Sequence, residues 1–151
     1  MRFNSKVRNI SIIKCCAPTE LADDNAKNAF YSRLNAVYGS TPRADIVIVM
    51  GDLNAKEGVG NSGVEYVVGR HAVGVRNDNG GRFVDFCSTH HLMIGGTTFQ
   101  HRTRDKVSWS SFLVDTLTRS ITWLSRGDLE VALKTYVTGR WPILVILRII
   151  T

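Results

Sequence analysis

Hydrophobic positions change period several times along the first two thirds of the chain. In residues 7–14, VRNISIIK, Ile10 and Ile12 alternate with their neighbours, which predicts a strand with both on one face. Pro18 ends it. Ala26, Phe30, Leu34 and Val37 then recur at spacings of four, four and three, a single helical stripe. A helix is predicted over 20–38, with Thr19 as its cap and Glu20, Asp23 and Asp24 near the positive end of its dipole. Gly39 and Pro42 close it. Residues 45–50, DIVIVM, form a continuous apolar run, the pattern of a strand buried on both faces. A glycine- and asparagine-rich loop follows, and RNDNGG at 76–81 reads as a second loop. In the next segment Phe83, Phe86, Cys87 and His90 return to helical spacing, and His90 reads as a helix-end or core histidine rather than a ligand. LMI at 92–94 and TTF at 97–99 look like short strands.

The order strand, helix, strand, loop, helix, strand argues an α/β layered fold. The strands at 7–14 and 45–50 should be neighbours, because the connection is long enough for a crossover with the helix packed on the sheet. Beyond Ser110 the turn signals thin out and no element is assigned.

Composition narrows the field modestly. The chain has 151 residues, enough for one domain, and 44% of them are hydrophobic. The net charge of +6 suits a nucleic-acid or phosphate-rich partner, and suits equally an ordinary basic protein, since no long Lys/Arg run exists. Cys15, Cys16 and Cys87 have no paired spacing, so neither a disulfide framework nor a zinc site is indicated. No signal-peptide core opens the chain. The apolar stretch WPILVILRIIT is too short for a membrane helix and is interrupted by Arg148. An intracellular location is expected, with the nucleus as one option. The sequence sets no oligomeric state.

The sharpest chemical feature is Gly51-Asp52-Leu53-Asn54 at the end of the apolar strand. Ligands of open α/β sheets gather at the carboxyl ends of strands. Gly51 allows a tight exit, and Asp52 and Asn54 would share one side if the strand continued. A carboxylate there can orient or deprotonate water, and an amide can donate to a phosphate oxygen. The alternative is a turn in which Asp and Asn bond their own backbone.

The surrounding motifs are more specific. ISIIKCCAPTE, FYSRLNAV, ADIVIVMGDLNAKEG and GRHAVGVRNDNGGRFVDFCSTHHLMIGGTTFQHRTRDKVSWSS occur in order over about residues 7–111. Together they resemble the endonuclease domain of non-LTR retrotransposons and the related craniofacial development protein 2-like proteins. These lie within the DNase I-like endonuclease/exonuclease/phosphatase superfamily. The resemblance implies a fragment of a two-layer β-sandwich with flanking helices, acting on DNA by Mg²⁺-assisted phosphodiester hydrolysis. It assigns water activation to Asp52 and phosphate positioning to Asn54. Trp109 matches a Thr/Ser-Trp element, as a core residue or a nucleotide contact.

Three departures weaken an expectation of activity. Cys16 stands where the family usually has a tyrosine, a better phosphate donor, and reads as a small buried residue. The family's upstream strands, bearing an asparagine and a metal-binding glutamate, have no counterpart, and Glu20, Glu57 and Glu65 lie in the wrong context to replace them. The closing Ile-Asp-His and Ser-Asp-His segments are also missing: His71, His90, His91 and His101 all come too early, and Asp115 and Asp128 have no following histidine. Residues 1–110 are therefore expected to form a partial domain, and 111–151 a divergent tail or an out-of-frame translation. Codons allowed for Phe112 to Ser125 permit an Ile-Asp-His segment in another frame. The expected function is an impaired or inactive Mg²⁺-dependent DNA endonuclease. The competing expectations are an active enzyme, a nucleic-acid-binding relic drawing on His101, Arg102, Arg104 and Lys106, and a phosphoesterase of the same fold with another substrate.

Overall fold

The computed structural model describes residues 1–98 throughout, together with the backbone of three later strands at 109–110, 117–118 and 144–148. It is a mixed α/β fold. The main elements are β1 (Arg2–Phe3), β2 (Ile10–Cys16), α1 (Asp24–Gly39), β3 (Ile46–Asp52), α2 (Asp78–Thr89), β4 (Leu92–Ile94) and the short helical turn α3 (Gly95–Thr98). The later strands are β5 (Trp109–Ser110), β6 (Leu117–Thr118) and β7 (Leu144–Arg148). The five-stranded sheet has the order β1-β2-β3-β7-β4, and β5 and β6 form a separate pair.

At the centre, β2 and β3 run parallel in a register that pairs Ile10 with Ile46 and Cys16 with Asp52. This is the expected strand-helix-strand unit, with α1 as the crossover. Ser11, Ile13, Val47 and Val49 face a core completed by Leu34, Phe83, Val84, Leu92 and Ile94. Burial of DIVIVM is one-sided rather than two-sided: Val47 and Val49 are fully buried, whereas Ile46, Ile48 and Met50 are half-buried. In β2, likewise, Ser11 and Ile13 take the core face, and Ile10 and Ile12 lie on the half-buried one.

Both long helices start differently from expectation. The cap of α1 is Asp23, whose carboxylate accepts from Ala26 N at 2.7 Å, so the helix begins after Thr19 and Glu20. Its buried stripe is Lys27, Tyr31, Leu34 and Tyr38, one position beyond the predicted stripe except at Leu34, which both share. Lys27 can take a core position because its ammonium donates to Asp78 (3.0 Å) and to Glu20 O (2.7 Å). The second loop is shorter than predicted. Asn77 caps α2 by accepting from Gly80 N, so the last four residues of RNDNGG, from Asp78, are already the first helical turn. Thr97 and Thr98 lie in a helical turn, not a strand, because both hydroxyls donate back to Ile94 O. Phe99 falls outside the described residues.

The two helices meet through aromatic contacts. Tyr38 packs edge-on against Phe86 at 5.9 Å, and the His90 ring lies 4.2 Å from Tyr38 and 4.8 Å from Phe86. His90 is the C-terminal cap residue of α2, with its Nε2 2.6 Å from Asn35 Oδ1. It is a helix-end histidine, as its position in the stripe suggested.

Candidate functional site

The carboxyl ends of β2 and β3 create a rim of three converging segments. β3 reaches the rim through Gly51, whose φ of 140° and close approach to β2 exclude a side chain: an added Cβ would sit 1.8 Å from Cys15 O. Asp52, the last strand residue, is exposed. The strand does not continue to Asn54. Instead Leu53 turns into the core, Asn54 adopts a φ of 48°, and Asn54 N donates to Asp52 Oδ1 at 3.1 Å. The backbone-bonding turn is therefore the observed local structure, and it brings Asp52 and Asn54 together without strand alternation.

Asn54 also reaches across to the segment that follows β2. Its Nδ2 donates to Ala17 O at 3.0 Å, and Ala17 N donates to Asp52 O at 2.8 Å. Two further asparagines, from the start of α2, complete this clamp. Asn77 Oδ1 accepts from Lys56 N (2.9 Å) and Gly80 N (2.8 Å), while its Nδ2 donates to Asn54 O (3.1 Å). Asn79, fully buried, donates to Pro18 O at 2.9 Å. Gly80 is needed here as well, since a Cβ would meet Lys56 O at 1.8 Å. Three amides thus lock the loop after β2, the loop after β3 and the first turn of α2 into one unit.

Glu20 contributes to the same junction. Its carboxylate accepts from Asp78 N (3.0 Å) and Asn79 N (3.3 Å), at the positive end of α2 rather than of α1. Around it, Asp78 binds Lys27 and Arg82, and Arg82 also pairs with Asp24 at 2.8 Å and with Asn28. These cations hold the Asp78 carboxyl below its usual range.

The cysteines divide by alternation along β2. Cys15 faces inward and is half-buried, and its thiol is pushed up to about 11, first by burial and then by Cys16. Cys16 is exposed and lies opposite Asp52 in the strand register. It is not the small buried residue expected: the outward step that exposes Asp52 exposes Cys16 too. Cys87 is fully buried in α2, where burial and then the buried Glu57 raise its thiol well above the ordinary value.

Sequence reasoning singled out Asp52, Asn54 and Cys16 but not Asn77, Asn79, Gly80 and Glu20, which hold the segments that carry them. The available signal was Asn-Asp-Asn-Gly-Gly immediately before an apolar helical stripe, which is a capping signature. For Trp109 only backbone is described, in β5, and His101, Arg102, Arg104, Lys106, Asp115 and Asp128 lie outside the described residues.

The fold and rim define a mixed α/β chain with a polar platform at the carboxyl ends of two parallel strands. Over 111 residues the sequence is 35% identical to craniofacial development protein 2 of Tragulus javanicus and 34% identical to that of Bos taurus. The matched region is 74% of this chain but only 19% and 18% of those proteins, so the chain spans about a fifth of their length. No protein-family model matches the chain, and no solved structure matches it. Among the described residues no helix is long and apolar enough to cross a membrane.

Proposed function

We propose that residues 1–110 form part of a DNase I-like phosphodiesterase domain of the retrotransposon-endonuclease type, with residues 111–151 as a divergent tail. DNA is the proposed substrate and Mg²⁺ the proposed cofactor. The observation that carries this reading is the junction of Asp52 and Asn54 at the carboxyl end of β3, fixed by three asparagine amides. One Asp52 oxygen accepts from Asn54 N, and in this reading the other, on an exposed side chain, takes a proton from water. Asn54 spends one amide hydrogen on Ala17 O, leaving the second to donate to a phosphate oxygen. Similarity to craniofacial development protein 2 over 111 residues agrees with the resemblance from which this reading starts.

The donors present do not by themselves fit a Mg²⁺ site. Among the described residues no three His, Cys, Asp or Glu side chains are grouped to hold a metal, and Glu20 is committed to the α2 amides. No catalytic step is therefore routed through the ion. A phosphoryl transition state spreads charge over several oxygens. Removing a single electrostatic donor from such a site costs roughly 10²–10³ in rate. The 151-residue polypeptide alone is accordingly proposed to turn over DNA at or near background.

The test is cleavage of supercoiled and abasic plasmid by the purified chain with Mg²⁺ or Mn²⁺, with and without chelator. Background turnover is expected. Chelator-sensitive cleavage abolished by Asp52→Ala would establish the phosphodiesterase and overturn the inactivity. Salt-dependent retention on DNA without cleavage would identify a binding relic, and turnover confined to small phosphate esters would change the substrate.

A further inference from the structure

At the amino ends of the parallel strands, opposite the rim, lies an open cavity of about 760 Å³. Its walls are the segment between β1 and β2 (Ser5, Val7, Arg8, Asn9) and the turn before β3 (Pro42, Arg43, Ala44, Asp45), with Arg2 between them. Seven residues of β3 at roughly 3.3 Å each separate it from Asp52 by about 23 Å. The volume lies in the range of about 300–1,000 Å³ typical of small-ligand sites.

Its charge is one-sided. Three guanidinium groups, Arg2, Arg8 and Arg43, meet one carboxylate, Asp45. That carboxylate is unavailable to a cation: its side chain is 1% exposed and already accepts from Arg2 Nε (2.7 Å), Arg2 Nη2 (3.0 Å) and Ser11 Oγ (2.7 Å). The same pairing fixes the half-exposed Arg2 side chain in the wall. Arg8 and Arg43 are exposed and form no ion pair among the described residues. The wall is also braced. Ile46 N donates to Asn9 O (2.9 Å), Asp45 N to Pro42 O (3.1 Å) and Ser5 N to Asn9 Oδ1 (3.1 Å). This last bond uses the Asn9 carbonyl oxygen and leaves its NH₂ as a donor, while the Ser5 hydroxyl accepts from Val7 N at 3.4 Å and keeps its own hydrogen to donate. Guanidinium forks, a hydroxyl and an amide around a braced concavity match the acceptors of a phosphate group.

From this we propose that the cavity is a phosphate-binding site, independent of the rim, with Arg8 and Arg43 as its ligand-contacting residues and Arg2 as a prepositioned third. The phosphate can belong to a free nucleotide or to a nucleic-acid backbone, and the chemistry recognised is the same.

The test is amide NMR of the full chain titrated separately with inorganic phosphate, adenosine monophosphate and a short single-stranded oligonucleotide, with a glutamate peptide of matching charge as comparison. Shifts at residues 5–9 and 42–45 are expected with at least one phosphate ligand. Response to phosphate or the mononucleotide assigns a free-phosphate source, and response to the oligonucleotide alone assigns a backbone. Arg8→Gln and Arg43→Gln should each weaken binding about tenfold, as for a lost charge-assisted hydrogen bond. Arg33→Gln and Arg70→Gln, each removing one charge but elsewhere on the surface, should each leave it within about twofold, since a distant charge is screened. The site would be overturned by no shifts at these residues, by shifts confined to 52–56, or by equal affinity for the glutamate peptide. Equal losses in the charge-matched control would overturn it as well. The single variants alter exposed side chains, and their unbound spectra report whether the fold is retained.

Discussion

Replacing Asn77 by alanine tests the amide clamp most directly. Three bonds disappear: the cap to Gly80 N, the bond from Lys56 N and the donation to Asn54 O. Loss of a helix cap costs about 1 kcal/mol. The two remaining backbone groups belong to half-buried residues that water partly reaches, so each adds roughly 0.5–1.5 kcal/mol. The expected total is about 2–4 kcal/mol. With a urea m-value of about 2 kcal/mol/M, the middle of the usual range, the unfolding midpoint should fall by roughly 1–2 M. Asn77→Asp keeps both acceptor bonds and loses only the donation. Its charge also favours the helix start by about 0.3–1 kcal/mol, so it should cost about 1 kcal/mol or less. Asn77→Ser retains the cap and should fall between the two. An alanine variant within about 0.5 kcal/mol of the parent, or an aspartate variant as damaged as alanine, would refute the reasoning. Hydrogen exchange at Lys56 and Gly80 should accelerate together in Asn77→Ala, and exchange unchanged at both would refute it equally.

Further predictions concern the glycines, the thiols and acid. Gly51→Ala should destabilise by more than about 2 kcal/mol, because its Cβ meets Cys15 O in a strained conformation, whereas Gly39→Ala, with open space around it at the end of α1, should be neutral or stabilise by up to about 1 kcal/mol in urea unfolding. Cys16 should react with an aromatic disulfide reagent in the native protein, and Cys15 and Cys87 only on unfolding; three equal native rates would contradict the burial pattern. Arg2 first, and then Ser11, hold the Asp45 carboxyl below its ordinary value, and Lys27 and Arg82 do the same for Asp78. These depressed groups stabilise the fold above the unfolded carboxylate value of about 3.9, and the contribution is lost as pH falls through their folded values. Asp45→Asn should therefore flatten the acid limb of the urea midpoint against pH, and an unchanged limb would exclude Asp45 as a contributor.

The sequence showed the central β-α-β unit because period and punctuation agree there. Continuous apolar residues ended at Gly51, and a helical stripe lay between Pro18 and Gly39. It misplaced the stripe of α1 because Lys27 looks like a surface residue until Asp78, 51 positions away, supplies its counter-charge. Thr19 has the signature of a cap because it precedes Glu20 and two aspartates, but Glu20 binds the first amides of α2 and Asp23 caps α1 instead. Cys16 resembles a small buried residue at the position of the family's tyrosine, whereas its place on the outward face of β2 exposes it. At the rim, Asp52 and Asn54 could be found from a local motif. Their supports could not, since Asn77 and Asn79 act across 23 and 61 residues of chain. One-sided burial of β3 was equally illegible, because an apolar run does not reveal which face is covered.

The asparagine clamp also bears on the covalent ageing of the chain. Asn79-Gly80 is a dipeptide in which the glycine nitrogen of an open chain can attack the asparagine side chain, expelling ammonia through a cyclic imide and leaving aspartate or isoaspartate. Here Gly80 N is held by Asn77 Oδ1, Asn79 Nδ2 is held by Pro18 O, and Asn79 has no solvent exposure. The imide geometry is out of reach while the first turn of α2 stays closed. Conversion at this position thus becomes a slow chemical record of how often that turn opens, written irreversibly into the chain's mass and charge.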